Sequence, residues 1–578
     1  MSLQPQRHLV PGKTAAAMVA ELYGLAVGQH QAGFFREAEG LYRRVLAIDQ
    51  KHASSMYNLG LLSLQIGRTD FGVKMIAKAI ARNNRVPEWH YNLAFGLAAL
   101  GRNHEAIAHY RKASTLKPGY AEAHMNLGNA LKAVGQSDQA IASYQRVIAL
   151  QPEAMEAHCN VANVFAEQGQ WEQAAKWYEC ALALDPNSAQ AHTNYGIVLS
   201  AQGRQAEAAA RHQRALALNP DLIEAYVNLG KVLASEGKHE EAAVQYRRAL
   251  VRNPDYAQAH NNLGVVLMAD GQVDAAIASY ERALALRPDL SEVLNNLGIM
   301  FLAKGQSNRA AECLQRAITQ RPDFIEAHNN LARACMAERD VGQALRVLVR
   351  ALTVRETVET KTLFVACLKG LCSLREGQEY RDIVVRALAE PWGRPSDLAH
   401  FAAHLVLQNP AISASVACVL DVWPERLPIP AWLSSETRAA IARDEVLRAL
   451  LENGRIAHGG LERFLTALRF ALLGIAADWT ETDVLEPDEL RFFCALARQC
   501  FDNDYVFDAT ERETAQAEIL RRRLIAALEA NAEVPVLWPV AVAAYFPLHS
   551  LPAVATLMRR CWPEPVASLL QQQVLEPE

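Results

Sequence analysis

Apolar and polar positions over residues 53–358 fall into blocks of two helical stripes. In the block that begins at Ala121, Leu127, Leu131 and Val134 recur at helical intervals, and after Gly135-Gln136 the spacing resumes with Ile141, Tyr144 and Ile148. This periodicity gives each of two helices one apolar face. They are expected over Met125–Val134 and Ser137–Ala149, with Pro152 as the stop. The block returns every 34 residues without slippage: asparagine stands at Asn58, Asn92, Asn126, Asn160, Asn194, Asn228, Asn262, Asn296 and Asn330, and Gly or Ala follows two residues later each time. Ala106, Ala140, Ala174, Ala208, Ala242, Ala276, Ala310 and Ala344 keep the same beat, as do Pro118, Pro152, Pro186, Pro220, Pro254, Pro288 and Pro322. A fixed period of this length marks an all-α solenoid of stacked helix pairs.

Nine units start at 53, 87, 121, 155, 189, 223, 257, 291 and 325. Residues 19–52 form a degenerate first unit, in which Gly24-Leu25-Ala26 replaces the triplet while Gly33, Ala38 and Tyr42 keep their places. Atypical end units are expected where one face has no neighbour. Residues 1–18 are a leader, 19–358 the solenoid and 359–578 a second, irregular α-helical region. Its helices are expected at Leu363–Leu374, Asp382–Ala389, Ser396–Leu407, Ser435–Asn453, Leu461–Leu473, Pro487–Phe501 and Glu511–Ala530, between proline-rich breaks at 391–395 and 424–430.

Small residues are expected where the two helices of a unit cross, at Gly128 and Ala140, because a larger side chain would push the axes beyond about 8 to 10 Å. Asn126-Leu127-Gly128, Gly135, Ala140, Tyr144 and Pro152 resemble the tetratricopeptide repeat, and the likeness spans roughly 340 residues. The resemblance implies a right-handed superhelix of about ten repeats, with the first helices lining its concave side.

Composition adds exclusions. A formal charge of -5 over 578 residues supplies no basic field for nucleic acid or anionic lipid. Ten cysteines without a CxxC point to free thiols in a reducing, cytoplasmic compartment. No membrane segment is expected: the late apolar stretch 534–548 is broken by Pro535, Pro539 and Pro547. Gly12-Lys13-Thr14 ends like a phosphate loop, but Arg7 replaces its leading glycine.

The asparagines carry the candidate chemistry. On a helical wheel Asn126 shares a side with Glu122, Asn129 and Ala133, away from Leu127, Gly128 and Leu131. Asparagine costs several tenths of a kcal/mol against alanine in a helix, so its return in nine units on a non-core face needs a cause. One reading is a ladder of amides, each offering two donors and an acceptor to an extended peptide backbone. First helices about 10 Å apart would place one clamp every three residues of such a chain. This resembles the asparagine ladder of O-linked N-acetylglucosamine transferases, which implies substrate segments held with little regard to sequence. The other reading is that the amides bond only to the adjacent unit, or reflect duplication.

His90, His124, His158, His192, His260 and His328 also keep phase. One per unit, they do not converge on an ion, so they are read as packing residues and no metal or other cofactor is expected. Trp171 and Trp177 are either a local hot spot or packing against a neighbouring helix, and the convex face around Trp177 is one place for a dimer to close.

No catalytic constellation emerges. His458-Gly459-Gly460 lacks a partnered nucleophile elbow, Glu486, Asp488 and Glu489 suit a helix start, and Cys500 has no base beside it. The plain reading of 496–507 is a buried helix end with Asn503 and Tyr505 bonding the backbone. The run Gln499-Cys500-Phe501-Asp502-Asn503-Asp504-Tyr505-Val506-Phe507, together with Pro391–Asp397 and the closing Gln571–Glu578, resembles the non-catalytic part of bacterial tetratricopeptide-repeat methyltransferase fusions. That family has Glu at the place of Asp504 and an apolar residue at that of Asp502. Expected, then, is a scaffold that binds extended protein segments and recruits them for a modifying enzyme. The alternative is the substrate-recognition part of a methyltransferase, or less readily a glycosyltransferase, whose active part is absent here or acts in trans.

Overall fold

The computed structural model describes residues 14–369, 371, 377–454, 456, 458–479, 483, 485–503, 505 and 507–575. The leader through Lys13, most of the phosphate-loop-like triplet, Cys372, the end of the helix expected to Leu374, Asp504, Val506 and Glu576-Pro577-Glu578 lie outside them. The described residues are helical without a strand, and fall into two compact units, Met1–Leu286 and Arg287–Glu578.

The first unit is a row of antiparallel helix pairs, from Ala15–Gln31 with Phe35–Ile48 to Ala257–Ala269 with Val273–Leu286. Each first helix begins earlier than its apolar stripe suggests: Ala121–Ala133 replaces the expected Met125–Val134, because the opening turn packs through Ala121 and Ala123, whose small side chains give little periodic signal. The opening helix likewise starts at Ala15, with the Thr14 hydroxyl accepting from the Ala17 amide. Between the helices of every pair one glycine turns the chain, from Gly33 to Gly271, with φ between 72° and 82°. That left-handed backbone is free for glycine and costly for other L-residues.

The crossing of each pair is set by a second small residue. A Cβ at Gly230 would lie 2.6 Å from Cε1 of Tyr246, and one at Gly264 the same distance from Cε1 of Tyr280. Tyr110, Tyr144, Tyr178, Tyr246 and Tyr280 occupy this place in successive pairs and are fully buried. His212 takes it once, against Gly196.

The second unit opens with two pairs of the same kind, Ser291–Ala303 with Ser307–Gln320 and Ile325–Ala337 with Val341–Val354. Gly305 has φ 70°, but in the last pair Arg339 stands in the turn with φ 63°. The next helix runs over Val358–Leu368, capped by the Thr357 hydroxyl, so it begins before the expected Leu363. Ser435–Asn453 is two helices, Ser435–Ala442 and Glu445–Asn453, because the Asp444 carboxylate accepts from the Leu447 amide and starts a new one. Helices at Pro410–Val422, Leu537–Ala543 and Glu564–Leu575 escaped the sequence reading. Buried Arg–carboxylate pairs tie this irregular region together: Arg381 to Asp444 at 2.6 Å, Arg438 to Glu489 at 2.7 Å and Arg426 to Glu513 at 3.2 Å. Removing one partner would strand a buried charge. Trp392, from the proline-rich run at 391–395, is buried against Phe364 and donates to Glu390, whose carboxyl is held down at about 2 by that indole, then by Lys361 and Arg386.

The turn geometry gives a stability prediction. Gly237 has φ 76° and nothing within 4 Å of an added Cβ, so backbone strain alone should make Gly237→Ala cost about 1 kcal/mol. Arg339→Gly should move stability the other way by a similar amount. Urea midpoints of the two variants against the parent check both signs.

Candidate functional site

Successive first helices lie side by side, and the asparagines report how. In the first unit Asn58 Nδ2 donates to the Tyr23 hydroxyl at 2.9 Å, Asn92 Nδ2 to Tyr57 at 2.6 Å and Asn126 Nδ2 to Tyr91 at 2.9 Å. Each bond reaches back 35 residues to the preceding pair. Asn160 Nδ2 meets only the Met125 sulfur at 3.4 Å, a weak acceptor. Asn194 accepts from Gln190 within its own helix at 3.0 Å. For Asn262 the residue 35 back is Val227, whose side chain has no acceptor, and its Nδ2 is buried without a partner among the described residues. In the second unit Asn330 Nδ2 donates to Asn295 Oδ1 at 2.9 Å, and its own Oδ1 accepts from Arg333 at 2.9 Å.

At Asn58, Asn92 and Asn126, part of the amide is used inside the protein and part is left. Asn58, Asn92 and Asn126 spend one N–H on a tyrosine, which fixes the amide plane, and their Oδ1 atoms, with no partner among the described residues, are not sealed from solvent. Asn228 makes no hydrogen bond among the described residues, and neither of its amide atoms is sealed from solvent. Asn330 is 9 % exposed and has spent both ends of its amide, whereas Asn58, Asn92, Asn126, Asn160, Asn194, Asn228, Asn262 and Asn296 are half-buried.

Three residues after each asparagine comes a position that the sequence reading did not single out beyond Asn129. In the first unit it holds Leu61, Phe95, Asn129, Asn163, Ile197, Lys231 and Val265. Phe95 is 53 % exposed, Ile197 46 % and Val265 38 %, although the same helices bury apolar residues on the opposite face. Asn129 and Asn163 accept from the buried hydroxyls of Tyr144 and Tyr178. The anchoring tyrosines were legible as Tyr23, Tyr57 and Tyr91, spaced by 34 residues and each one position ahead of the asparagine register.

The phased histidines have a shared structural task. Nε2–H of His124, His158, His192, His260 and His328 donates to the carbonyl six residues upstream, at Pro118, Pro152, Pro186, Pro254 and Pro322, over 2.9 to 3.2 Å. His90 does the same to Asn84 at 3.1 Å. Each ring closes the carbonyl that a turn with proline leaves unbonded. Among the described residues no three metal-ligating side chains converge. Trp171 is 37 % exposed, and Trp177 leans on His158 with ring centroids 5.5 Å apart.

The remaining candidates are structural where described. His458 Nδ1 accepts from the Leu461 amide and caps the helix Gly459–Ala477. Glu489 is buried against Arg438. Cys500 is fully buried, its thiol donates to the Leu496 carbonyl at 3.1 Å, and burial pushes its pKa up. Tyr505 N–H donates to the Cys500 carbonyl at 2.9 Å with Tyr505 at φ 56°, which ends the helix Pro487–Asp502. Cys313, Cys335, Cys367 and Cys494 are also buried, whereas Cys180, Cys418 and Cys561 are exposed. Among the described residues no single helix is long and apolar enough to cross a membrane; Pro395–Leu407 and Pro410–Val422 reach that composition only as a pair bent by 94°.

Family models for the tetratricopeptide repeat match residues 125–189, 227–291 and 295–356, and 177–210, and a TPR repeat model matches 96–135 and 198–237. These repeats are tetratricopeptide repeats. The helix pairs of residues 15–95, outside the matches, have the same left-handed turn glycines as the tetratricopeptide repeats that follow, and Asn58 and Asn92 bond back to a tyrosine as Asn126 does. No curated protein matches the chain. Among solved structures, the chain is similar to YrrB, described as a TPR protein with an unusual peptide-binding site, at 25 % identity over 32 % of this chain and 95 % of that one, with a TM-score of 0.28. It is similar to Pseudomonas aeruginosa PilF at 22 % identity over 37 % and 97 %, TM-score 0.34, and to yeast Tom70 at 14 % over 64 % and 99 %, TM-score 0.35.

His212 supplies a pH test of the stack. It is fully buried, neither ring nitrogen has a partner among the described residues, and desolvation lowers its pKa to about 4. Burial lowers His90, His124, His192 and His328 as well. The unfolded chain takes up these protons below about pH 6.5 while the fold resists, so the stability is complete above that pH and is lost as pH falls toward 4. From its shift alone His212 should remove about 2 kcal/mol by pH 5. His212→Phe should lose that much less than the parent between pH 7.5 and 5 in urea titrations; equal losses would mean that His212 is not buried as the neutral ring.

Proposed function

We propose that the open stripe of the first helices is a peptide clamp, and that the protein is an interaction scaffold holding extended segments of other proteins. The observation that carries this reading is the division of labour within three of the amides. At Asn58, Asn92 and Asn126 a tyrosine of the preceding repeat takes one N–H and orients the group, while Oδ1 stays available. An oriented amide loses less freedom on binding than a free one. Its remaining donor and acceptor match the C=O and N–H of a peptide backbone. Backbone recognition of this kind is tolerant of sequence, which suits recruitment of varied segments. The peptide-binding site attributed to YrrB accords with such a role.

The test is retention of a pool of random-sequence peptides, about 15 residues long, by the full chain and by a variant with Asn126, Asn160, Asn194 and Asn228 changed to Ala. Alanine favours the helix by several tenths of a kcal/mol per site, so the variant should fold, as circular dichroism will check. With each backbone hydrogen bond worth about 1 kcal/mol, retention should fall at least thirtyfold. Equal retention would assign the asparagines to inter-repeat bonding alone.

A further inference from the structure

The same stripe is not chemically uniform, and its pattern names a class of ligand. Four positions of each first helix share it: the asparagine, the residue four before, the residue three after and the residue seven after. In the first unit these bring Glu88, Glu122, Glu156, Glu167 and Glu224 to the stripe, against a single cation, Lys231. Glu88 is met by Lys117 at 3.6 Å and Glu167 by Lys132 at 2.7 Å. Glu122, Glu156 and Glu224 are exposed, and among the described residues no Lys, Arg or His pairs with them. The exposed apolar residues of the stripe, Phe95, Ile197 and Val265, fall in the other repeats. Read from the repeat at 87 to the repeat at 257, the stripe runs apolar, acidic, acidic, apolar, acidic, apolar.

Resting on the clamp reading above, we infer that the preferred ligand is an extended segment that alternates basic and apolar side chains in the complementary order. With first helices about 10 Å apart, one repeat corresponds to about three residues of extended chain. A segment of about 16 residues would place apolar side chains against Phe95, Ile197 and Val265, at about its first, tenth and sixteenth residues. Lys or Arg would face Glu122, Glu156 and Glu224 at about the fourth, seventh and thirteenth. The asparagines hold the backbone, and the unpaired carboxylates with the exposed apolar side chains select among backbones. Acidic segments are disfavoured, because they would bring like charges onto carboxylates that lack a counter-ion.

The experiment is a display selection of random 20-residue segments on the full chain, with enriched clones then measured by anisotropy against three proteins. These are the parent, Glu122→Gln/Glu156→Gln/Glu224→Gln, and the asparagine variant described above. Expected are clones rich in Lys or Arg and apolar residues at about three-residue multiples. Loss of three screened ion pairs should weaken them about tenfold in the glutamine variant, and rising salt should weaken their binding to the parent. Acidic or neutral clones, no enrichment, or clones indifferent to the glutamine changes would overturn the ligand class. Clones that ignore the glutamine changes but are lost by the asparagine variant leave the clamp standing without this selectivity. Clones that the asparagine variant binds as tightly as the parent would remove the clamp itself.

Discussion

The repeat region depends on one close approach, that of a first helix to its second across a residue without a Cβ. Where Gly230 lies under Tyr246 or Gly264 under Tyr280, the aromatic ring fills the volume a methyl group would need. That contact fixes the rotation of both helices about their axes. A left-handed glycine in the intervening turn fixes the length of the connection. With rotation and length both fixed, any residue repeated at 34 positions must appear on the same face every time. The asparagine stripe is a consequence of that register, and so is the row of histidines that close the proline turns.

Much of this was legible because the constraint acts on residue size and backbone sign, which sequence displays directly. Glycine and alanine at fixed phase predicted helix pairs, and the wheel placed Asn126 away from the core, where it lies. Long-range polar contacts were less legible. That Tyr91 would take the Asn126 amide depends on how two first helices lie side by side, which no single helix's periodicity encodes. The histidines were read as packing, and they do pack, but their bond to a carbonyl six residues upstream depends on the turn conformation. Beyond the repeats, apolar patterning found helices such as Glu511–Glu529 and missed the break at Asp444. There a carboxylate inside an otherwise continuous helical pattern acts as a cap because Arg381 pairs with it.

The grading of the stripe connects structure to selectivity. Amides at Asn58, Asn92 and Asn126 are oriented by tyrosine, whereas the Nδ2 of Asn262 is buried with no partner among the described residues. The oriented clamps therefore stand at the start of the row, where a segment meets amides that need little further ordering. The unpaired carboxylates of Glu122 and Glu156 sit among and next to the oriented clamps, so charge and backbone recognition act together there.

The central claim is that the unspent parts of the asparagine amides from Asn92 to Asn228 contact a bound backbone. The direct measurement is the side-chain amide NMR spectrum of protein carrying isotope-labelled asparagine, assigned by single substitutions, with and without a saturating peptide of about 16 residues carrying Lys and Leu in the inferred order. The amide signals of Asn92, Asn126, Asn160, Asn194 and Asn228 should shift together, while that of Asn330, already bonded at both ends, stays in place. Binding with the ladder signals unmoved would contradict the account and send the search to another face of the molecule.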